Sequence, residues 1–211
     1  MSTDGVTGLT TTSYAILGML AIKPWSPYEI ATQWDRSLGR LWPRTRSKLY
    51  EEPKKLVAGG LARASEGTVG RRHRTVYAIT AKGRRALRAW LAEPGAGPVL
   101  EYEQLLKVFF GEHGGKRAIL VQLAAANRWA DDQRAIHAAV ARAYLSGKGP
   151  FPERTAILAL TGRFLADFAE VVGAWAEWAT GVVRRWPDDP GAARPDRATL
   201  EEIAGRGDEP T

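Results

Sequence analysis

The sequence contains no cysteine and only three histidines among its 211 residues. The lack of cysteine excludes disulfides, thiolate metal sites and cysteine nucleophiles, and it fits a reducing compartment. The histidines His73, His113 and His137 do not have the spacing of a helical zinc motif. Neither a Gly-x-Ser-x-Gly elbow nor a phosphate-binding loop is present. The sequence therefore predicts a protein that is not an enzyme and that needs no cofactor or metal ion.

The chain also lacks any run of eighteen apolar residues, which excludes a transmembrane helix. Its first residues, Met1-Ser-Thr-Asp-Gly, have neither the basic stretch nor the apolar core of a secretory signal. We therefore expect a cytoplasmic protein that does not contact a membrane.

Charge is unevenly distributed along the chain. Residues 1–93 carry 16 Lys/Arg and 7 Asp/Glu, a net charge of +9, whereas residues 94–211 have a net charge of −2. A basic segment joined to a nearly neutral one is typical of a module that binds a polyanion and is carried on a second unit. A solvated basic face is the alternative interpretation of the charge alone.

Capping residues and helix breakers predict three helices in the first sixty residues. Residues that accept hydrogen bonds from a first helical turn precede apolar runs, and proline or glycine follows each run. The predicted helices begin at Thr12 or Ser13, at Ser26-Pro27 and at about Arg44, and they end at Pro24, near Gly39 and at Gly59-Gly60. Residues 1–9 are expected to be disordered.

Pro53 lies inside the third predicted helix, over residues 44–58. It has no N–H to donate to the carbonyl of Leu49, so the sequence predicts a kink or a break at this point.

A β-hairpin and a fourth helix follow. Two short extended runs, residues 61–64 and 75–79, flank the basic, glycine-containing segment 67–74, which indicates a hairpin with a basic loop at its tip. Thr80 is expected to cap the fourth helix, and residues 93–98 are rich in proline and glycine, which is typical of a linker.

The order helix, helix, helix, hairpin, helix predicts a winged helix-turn-helix that binds double-stranded DNA. A recognition helix needs outward donors and an apolar back, and a wing needs basic residues at its tip. The predicted DNA-binding residues are Arg44, Thr45, Arg46, Ser47, Tyr50, Lys54 and Lys55 on the third helix, and Arg71, Arg72, His73 and Arg74 on the hairpin.

The second half of the sequence predicts helices over about residues 103–110, 116–145 and 153–185, followed by a flexible tail, 187–211. Apolar residues of the last long helix follow steps of four and three, the spacing of a coiled-coil seam. The seam comprises Ile157, Thr161, Phe164, Phe168, Val171, Trp175, Trp178 and Val182. We predict a homodimer, with Phe164, Phe168, Val171, Trp175 and Trp178 at the interface.

Together these patterns predict a mainly α protein with a small β-hairpin, in which a winged helix-turn-helix is followed by a helical dimerisation domain. The predicted domains are residues 1–93 for DNA binding and residues 99–186 for dimerisation.

Several runs in the first unit are similar to those of the PadR family of transcriptional regulators. They are Ile16-Leu-Gly-Met-Leu20, Tyr28-Glu-Ile30, Ser47-Lys-Leu-Tyr50, Lys54-Lys-Leu56, Gly60-Leu61, Tyr77-Ala-Ile-Thr80, Lys82-Gly-Arg-Arg-Ala-Leu87 and Trp90-Leu91. The resemblance covers about residues 12–93. The remainder resembles, in outline, the longer members with a virulence-activator-like helical C-terminal domain.

The resemblance implies a homodimer, in most members a repressor, and in some members release from DNA by a small aromatic effector. Trp90, together with Trp175 and Trp178, would line an effector site. Aromatic side chains at helical spacing are more often core and seam, so packing is the favoured interpretation of all three.

Two alternatives to a DNA-binding regulator remain open at this point. Glu112-His113, beside Glu101 and Glu103, would make a weak metal site. A helical protein-interaction module that has lost DNA binding is the second alternative, although the intact basic set on helix and wing argues against it.

Overall fold

The structure, a computed structural model, describes residues 8–69 and 72–207, and for residues 67–69, 72 and 73 it describes the backbone alone. The chain divides into two compact units, Met1–Pro98 and Val99–Thr211. The elements are α1 (Thr11–Ile22), α2 (Pro27–Arg36), α3 (Arg46–Ala58), β1 (Ala62–Val69), β2 (Arg72–Ile79), α4 (Ala81–Ala92), α5 (Glu103–Phe109), α6 (Gly115–Leu145), α7 (Thr155–Arg184) and α8 (Arg197–Gly205). The mainly α architecture with one small hairpin is confirmed.

Helix α1 begins slightly earlier than the sequence predicts. Thr10 rather than Thr12 or Ser13 is the N-cap, and a capping box forms because Thr10 Oγ1 accepts from the Ser13 N–H while Ser13 Oγ accepts from the Thr10 N–H. Ser13 is therefore part of the cap from inside the helix, as the third helical residue. Residues 1–7 lie outside the described residues, so the prediction for them stays a prediction.

Helix α2 begins as predicted, with Ser26 as N-cap and Pro27 at the first helical position. Its end differs from the prediction. The helix stops at Arg36, because Ser37 leaves the helical conformation and its hydroxyl donates to the Gln33 carbonyl. A short 3₁₀ turn, Leu38–Arg40, replaces the last predicted residues.

Helix α3 is continuous through Pro53, so the predicted break is wrong. The Pro53 ring is fully buried beside Leu49 and Leu56, and this apolar burial offsets the one backbone hydrogen bond that proline cannot make. The helix ends in a Schellman motif at Gly60, which has a φ of +70°. The Gly60 N–H donates to the Val57 carbonyl and the Leu61 N–H to the Leu56 carbonyl.

The hairpin is longer than the sequence predicts. Its antiparallel register runs from Ala62 opposite Ile79 to Val69 opposite Arg72, so most of the predicted loop, residues 67–74, is paired strand. β-Branched residues within that segment favour the extended ladder. Trp25 forms an isolated antiparallel bridge with Tyr77 of β2. The Trp25 N–H donates to the Tyr77 carbonyl at 3.0 Å, and the Tyr77 N–H donates to the Trp25 carbonyl at 2.8 Å.

Helix α4 is fixed to the hairpin and to the end of α3 at its N-terminus. The Thr80 hydroxyl accepts from the Gly83 N–H, as predicted for the cap, and donates to the Gly60 carbonyl. A Cβ on Gly83 would lie 2.1 Å from the Leu61 carbonyl oxygen, so only glycine fits this close approach.

The first unit has one core beneath the three helices and the hairpin. Trp34 is fully buried at its centre, and its indole N–H donates to the Trp42 carbonyl. Other large buried side chains include Ile16, Leu17, Met19, Leu20, Trp25, Ile30, Leu49, Pro53, Leu56, Leu61 and Tyr77. The outer face of α3 is thereby left to solvent.

The second unit is built on α6 and α7, which pack antiparallel. Two buried clusters join them, one around Ile119, Leu123, Ala179 and Val183, the other around Ala126, Val172 and Ala176. Small residues allow close approach, since a Cβ on Gly173 would lie 3.2 Å from the Ala130 Cβ.

The predicted seam on α7 is divided between this core and solvent. Phe168 and Trp175 are half-buried and pack against the α6–α7 clusters. Phe164, Val171 and Trp178 are exposed. Part of the surface that the sequence assigns to a partner is thus covered within the chain.

The segment after Pro187, for which the sequence predicts a flexible tail, contains a 3₁₀ turn at Pro190–Ala192 and helix α8. Asp196 caps α8 by accepting from the Thr199 N–H. The segment is also attached to α6, because the Lys116 N–H donates to the Asp188 carbonyl. Residues 208–211 lie outside the described residues. Of the helices that are described, none combines the length and hydropathy that crossing a bilayer requires.

Candidate nucleic-acid interface

The outer face of α3 presents polar side chains to solvent. Leu49, Glu52, Pro53 and Leu56 are buried on one side of the helix. At about 3.6 residues per turn, the opposite side carries Ser47, Glu51 and Lys54, with Tyr50 beside them. All four are exposed. Ser47, Tyr50 and Lys54 are therefore brought together on one surface, as a recognition helix requires.

Arg44 lies before α3 rather than in its first turn. Its Nε donates to Thr12 Oγ1 at 3.0 Å, Nη1 donates to the Pro43 carbonyl, and the guanidinium lies 4.4 Å from the Trp42 ring centroid. The Trp42 indole N–H donates to the same Thr12 hydroxyl. Arg44 thus joins the end of the α2–α3 connection to α1, and reaching a base would require it to exchange these contacts.

Arg46, at the start of α3, is paired with α2. Its Nη2 lies 2.7 Å from Asp35 Oδ2, and both side chains are exposed. Exposed ion pairs contribute only about 0–1 kcal/mol, so a phosphate or a guanine edge can replace Asp35 at little cost. Thr45 is the N-cap residue of α3 and its hydroxyl lies 3.1 Å from Ser47 Oγ.

Lys55 is directed to the side of α3 rather than to its outer face. Its Nζ lies 3.5 Å from Oε2 of Glu52, whose other oxygen accepts a hydrogen bond from the buried Ser13 hydroxyl of α1. The Glu52 carboxylate therefore connects α1 to α3 from within the core. A buried carboxylate of this kind fixes how the helix is presented.

The wing residues differ in what the structure describes. Arg71 lies outside the described residues, and so do the side chains of Arg72 and His73. Arg74 is described and does not face solvent freely, because its Nη2 forms an ion pair with Glu29 Oε2 of α2.

Glu29 is the centre of that contact. Burial raises the pKa of its carboxyl, but hydrogen bonds from the Ser26 N–H and from Arg74, with the Arg74 charge, outweigh burial and lower the pKa overall. Glu29 is therefore ionised at neutral pH and pairs with a charged guanidinium.

Three acidic residues of this surface were not predicted from sequence: Glu29, Asp35 and Glu51. Glu29 could have been found in part, because Ser26-x-x-Glu29 is the signature of a capping box. Its pairing with Arg74, forty-five residues away, leaves no local signal. Glu51 is an exposed carboxylate on the outer face of α3, and carboxylates accept hydrogen bonds from the amino group of cytosine.

The other candidate sites are simpler. Trp90 is half-buried and stacks on Tyr14 with ring centroids 5.0 Å apart and planes 3° from parallel. His113 lies 3.6 Å from Glu112. Over residues 8–69 and 72–207, no group of three or more His, Asp or Glu residues could hold a metal ion.

Comparison with known proteins by sequence gives a family match within the first unit and two relatives. Residues 16–89 match the model of the transcriptional regulator PadR-like family. A Mycobacterium tuberculosis protein named as a probable transcriptional regulator is 38% identical over 84 residues, which are 38% of this chain and 43% of that protein. The negative transcriptional regulator PadR of Bacillus subtilis is 31% identical over 99 residues, 46% of this chain and 54% of that protein. The chain thus spans about half the length of these relatives.

Solved structures extend the likeness to both units. Bacillus subtilis PadR in complex with operator DNA has a TM-score of 0.73 at 20% identity, covering 82% of this chain and 99% of that one. The same protein in complex with p-coumaric acid has a TM-score of 0.66. The Vibrio cholerae virulence activator AphA, at 25% identity, has a TM-score of 0.58 and covers 82% of this chain and 96% of that one. The fold is that of these winged-helix proteins with a helical C-terminal unit, and residues 16–89 are similar to the transcriptional regulator PadR-like family.

Proposed function

We propose that this chain is a sequence-specific, DNA-binding transcriptional regulator that acts as a homodimeric repressor on an inverted-repeat operator. The observation that carries the proposal is the exposed outer face of α3, where Ser47, Tyr50 and Lys54 lie opposite the buried side of the helix. The match of residues 16–89 to the PadR-like family model and the net charge of the first 93 residues support it. A cytoplasmic location is part of the proposal, because the partner is genomic DNA.

In this proposal α3 enters the major groove. Ser47 and Tyr50 are placed to meet base edges or phosphates, and Lys54 supplies a cation at the same surface. Arg46 joins them by exchanging Asp35 for DNA. Arg71, Arg72 and His73 remain proposed contacts of the wing with the sugar–phosphate backbone or a minor groove.

A second copy of the chain is proposed to cover α7. Four exposed side chains follow one another at seven-residue intervals, Ile157 (58% exposed), Phe164 (58%), Val171 (64%) and Trp178 (49%). Helix α6 covers the adjacent side of α7 and leaves this stripe bare. A stripe of large apolar residues at heptad spacing is typical of a helix that packs on a further helix. Bacillus subtilis PadR and AphA share the helical unit that carries it.

Release by a small aromatic effector is a further part of the proposal. Bacillus subtilis PadR has been solved with p-coumaric acid. In this chain the Tyr14–Trp90 stack offers a flat aromatic surface that a similar ligand would extend. The same stack also satisfies the packing interpretation of Trp90, so binding has to be measured directly.

The test is a gel-shift selection on fragments of the source genome with random duplex as competitor. We expect the wild-type chain to retain particular fragments, and the double variant Ser47→Ala/Lys54→Ala to lose them. Lys148→Ala, an exposed lysine in the connection between α6 and α7, is the charge-matched control and should bind normally. Failure of the wild type to prefer any fragment would favour the alternative of an interaction module that has lost DNA binding.

A further inference from the structure

The wing is attached to helix α2 through one carboxylate, and this attachment suggests a role for Arg74 other than DNA contact. We propose that Arg74 is a positioning residue. Together with Glu29, it holds the wing (the hairpin of β1 and β2) in a fixed position beside α3, the proposed recognition helix. The inference rests on the proposed function, because the position of the wing relative to α3 affects binding only if the partner is a DNA duplex.

Three donors converge on a single oxygen. Glu29 Oε2 accepts from the Ser26 N–H at 2.8 Å, from the Ser26 hydroxyl at 2.9 Å, and from Arg74 Nη2. The first bond, together with the Glu29 N–H that donates to Ser26 Oγ at 3.4 Å, is the capping box of α2, so the position of this carboxylate is set by the start of that helix. Arg74 is therefore bound to a group that cannot move without disturbing the cap.

The environment of the pair keeps Arg74 in place. Both side chains are only 34% exposed. A guanidinium turned away from Glu29 to reach a phosphate would leave that carboxylate half-buried without its cation. Breaking a partly buried pair costs more than breaking an exposed one such as Arg46–Asp35.

The ion pair is the outer of two attachments. The inner one is the main-chain pairing of Trp25 with Tyr77, both of which are buried. Arg74 lies three residues nearer the tip along β2 and is paired with Gly67 in the ladder. The ion pair lies nearer the tip than the Trp25–Tyr77 pairing, so we infer that it limits how far the outer part of the hairpin can pivot about that pairing.

Loss of the pair should therefore weaken DNA binding without removing a phosphate contact. A wing that is free to pivot has to be ordered when it binds, and that ordering lowers affinity. The number of counterions released, which sets the slope of log K against log salt, should stay the same.

The experiment compares Glu29→Gln, Arg74→Gln and the double variant in the full-length chain, on a fragment that the wild type retains. The amide introduced by Glu29→Gln keeps an acceptor oxygen for Ser26, so the capping box is retained. We expect each single variant to bind roughly three- to thirtyfold more weakly, the double variant to bind no more weakly than either single one, and all salt slopes to match the wild type. Lys54→Gln is the positive control. The slope of log K against log salt should become less steep by about 0.9 in this variant.

Two results would overturn the proposal. The first is a salt slope for Arg74→Gln that is less steep than that of the wild type by about 0.9, as expected when a phosphate contact is lost. The second is a Glu29→Gln variant that binds the DNA fragment as tightly as the wild type or more tightly. Removing a carboxylate near DNA should raise the affinity for DNA unless that carboxylate holds the wing in place.

A measurement without DNA separates this proposal from the proposed function. Thermal unfolding of the same variants should show a double variant no less stable than the less stable single one. Amide exchange of β2 should be faster in all three, while α7 is unchanged. A wild type that prefers no duplex, combined with these results, would refute the regulator and leave the attachment of the wing supported. If the loss of stability in the double variant equals the sum of the losses in the two single variants, the proposed attachment is refuted.

Discussion

At the scale of single residues, the basic side chains of the first unit divide according to their partners. Arg44 and Arg74 are held by the chain itself, through Thr12 and Trp42 in one case and through Glu29 in the other. Arg46 has a partner that water or DNA can replace. Lys54 has no ion-pair partner among the described residues. Their contributions to binding should follow the same order, with Arg46 and Lys54 the direct contacts.

Arg46 gives the sharpest prediction of base recognition. Arg46→Ala should lower the preference for an operator over random duplex by about 1–3 kcal/mol if the guanidinium binds a guanine edge. Competition binding measures the preference directly. Asp35→Asn, which frees Arg46 without removing it, is the control and should bind at least as well as the wild type. An equal loss of affinity for operator and random DNA would mean that Arg46 contacts phosphate alone.

The pKa of the Glu29 carboxyl leads us to expect that the stability of the first unit depends on pH. Its folded-state pKa is lowered from the ordinary value of 4.5, through the balance of burial against its hydrogen bonds and the Arg74 charge. The stabilisation is therefore fully present above the unfolded-state pKa and is lost as the pH falls through the lower, folded-state pKa. Melting curves should show the wild type more stable than Glu29→Gln at neutral pH, with the difference shrinking below about pH 4. A constant difference down to about pH 2 would contradict this explanation.

At the scale of secondary-structure elements, α3 is held from behind by a polar contact in the core. Ser13 is fully buried, and its hydroxyl donates to the buried carboxylate of Glu52. Ser13→Ala removes this donor and one half of the α1 capping box, so we expect the free energy of unfolding to fall by about 1–3 kcal/mol.

Chemical denaturation measures the change, with Ser65→Ala as the control because Ser65 is exposed on β1. The same loss in both variants would show that the Ser13–Glu52 contact does not stabilise α3. Binding should also weaken for Ser13→Ala, since the helix that carries Ser47 and Lys54 is less firmly held.

The starts and ends of these elements show what sequence reasoning can reach. Ser26-Pro27 and Thr80 were predicted as caps because their signals are local, and the structure has both. The continuity of α3 through Pro53 depends on the core into which the ring is packed, and that core is made by residues distant in sequence. The length of the hairpin depends likewise on cross-strand pairing.

The candidate site divides in the same way. Helical spacing alone places Ser47, Tyr50 and Lys54 on the outer face of α3. The partners of Arg44 and Arg74 could not be predicted, because Thr12 and Glu29 lie on other helices, 32 and 45 residues away. The sequence therefore predicts DNA contacts for Arg44 and Arg74 without indicating the contacts that both also make within the chain.

At the scale of the whole molecule, the proposed dimer depends on which side of α7 faces outwards. Phe164→Asp/Val171→Asp places charge on the exposed stripe, and burying that charge in an interface costs several kcal/mol unless the interface opens. We expect the double variant to sediment as a monomer and to lose operator binding, while its helical content is unchanged.

Two controls separate an interface from internal core. Leu200→Asp, an exposed leucine on α8, should remain dimeric. Phe168→Asp should instead destabilise the second unit, because Phe168 packs against Trp129 with ring centroids 6.1 Å apart. A Phe164/Val171 double variant that stays dimeric and binds normally would place the interface elsewhere.

In the proposed complex, two copies of this chain present two recognition helices to one duplex. Hydroxyl-radical footprinting on a retained genomic fragment, with the protein-to-DNA ratio measured on the same complex, tests it most directly. We expect two protected segments related by a two-fold axis, with centres about 10–10.5 base pairs or a multiple apart, bound by two chains. Protection of a single asymmetric segment by one chain would contradict it.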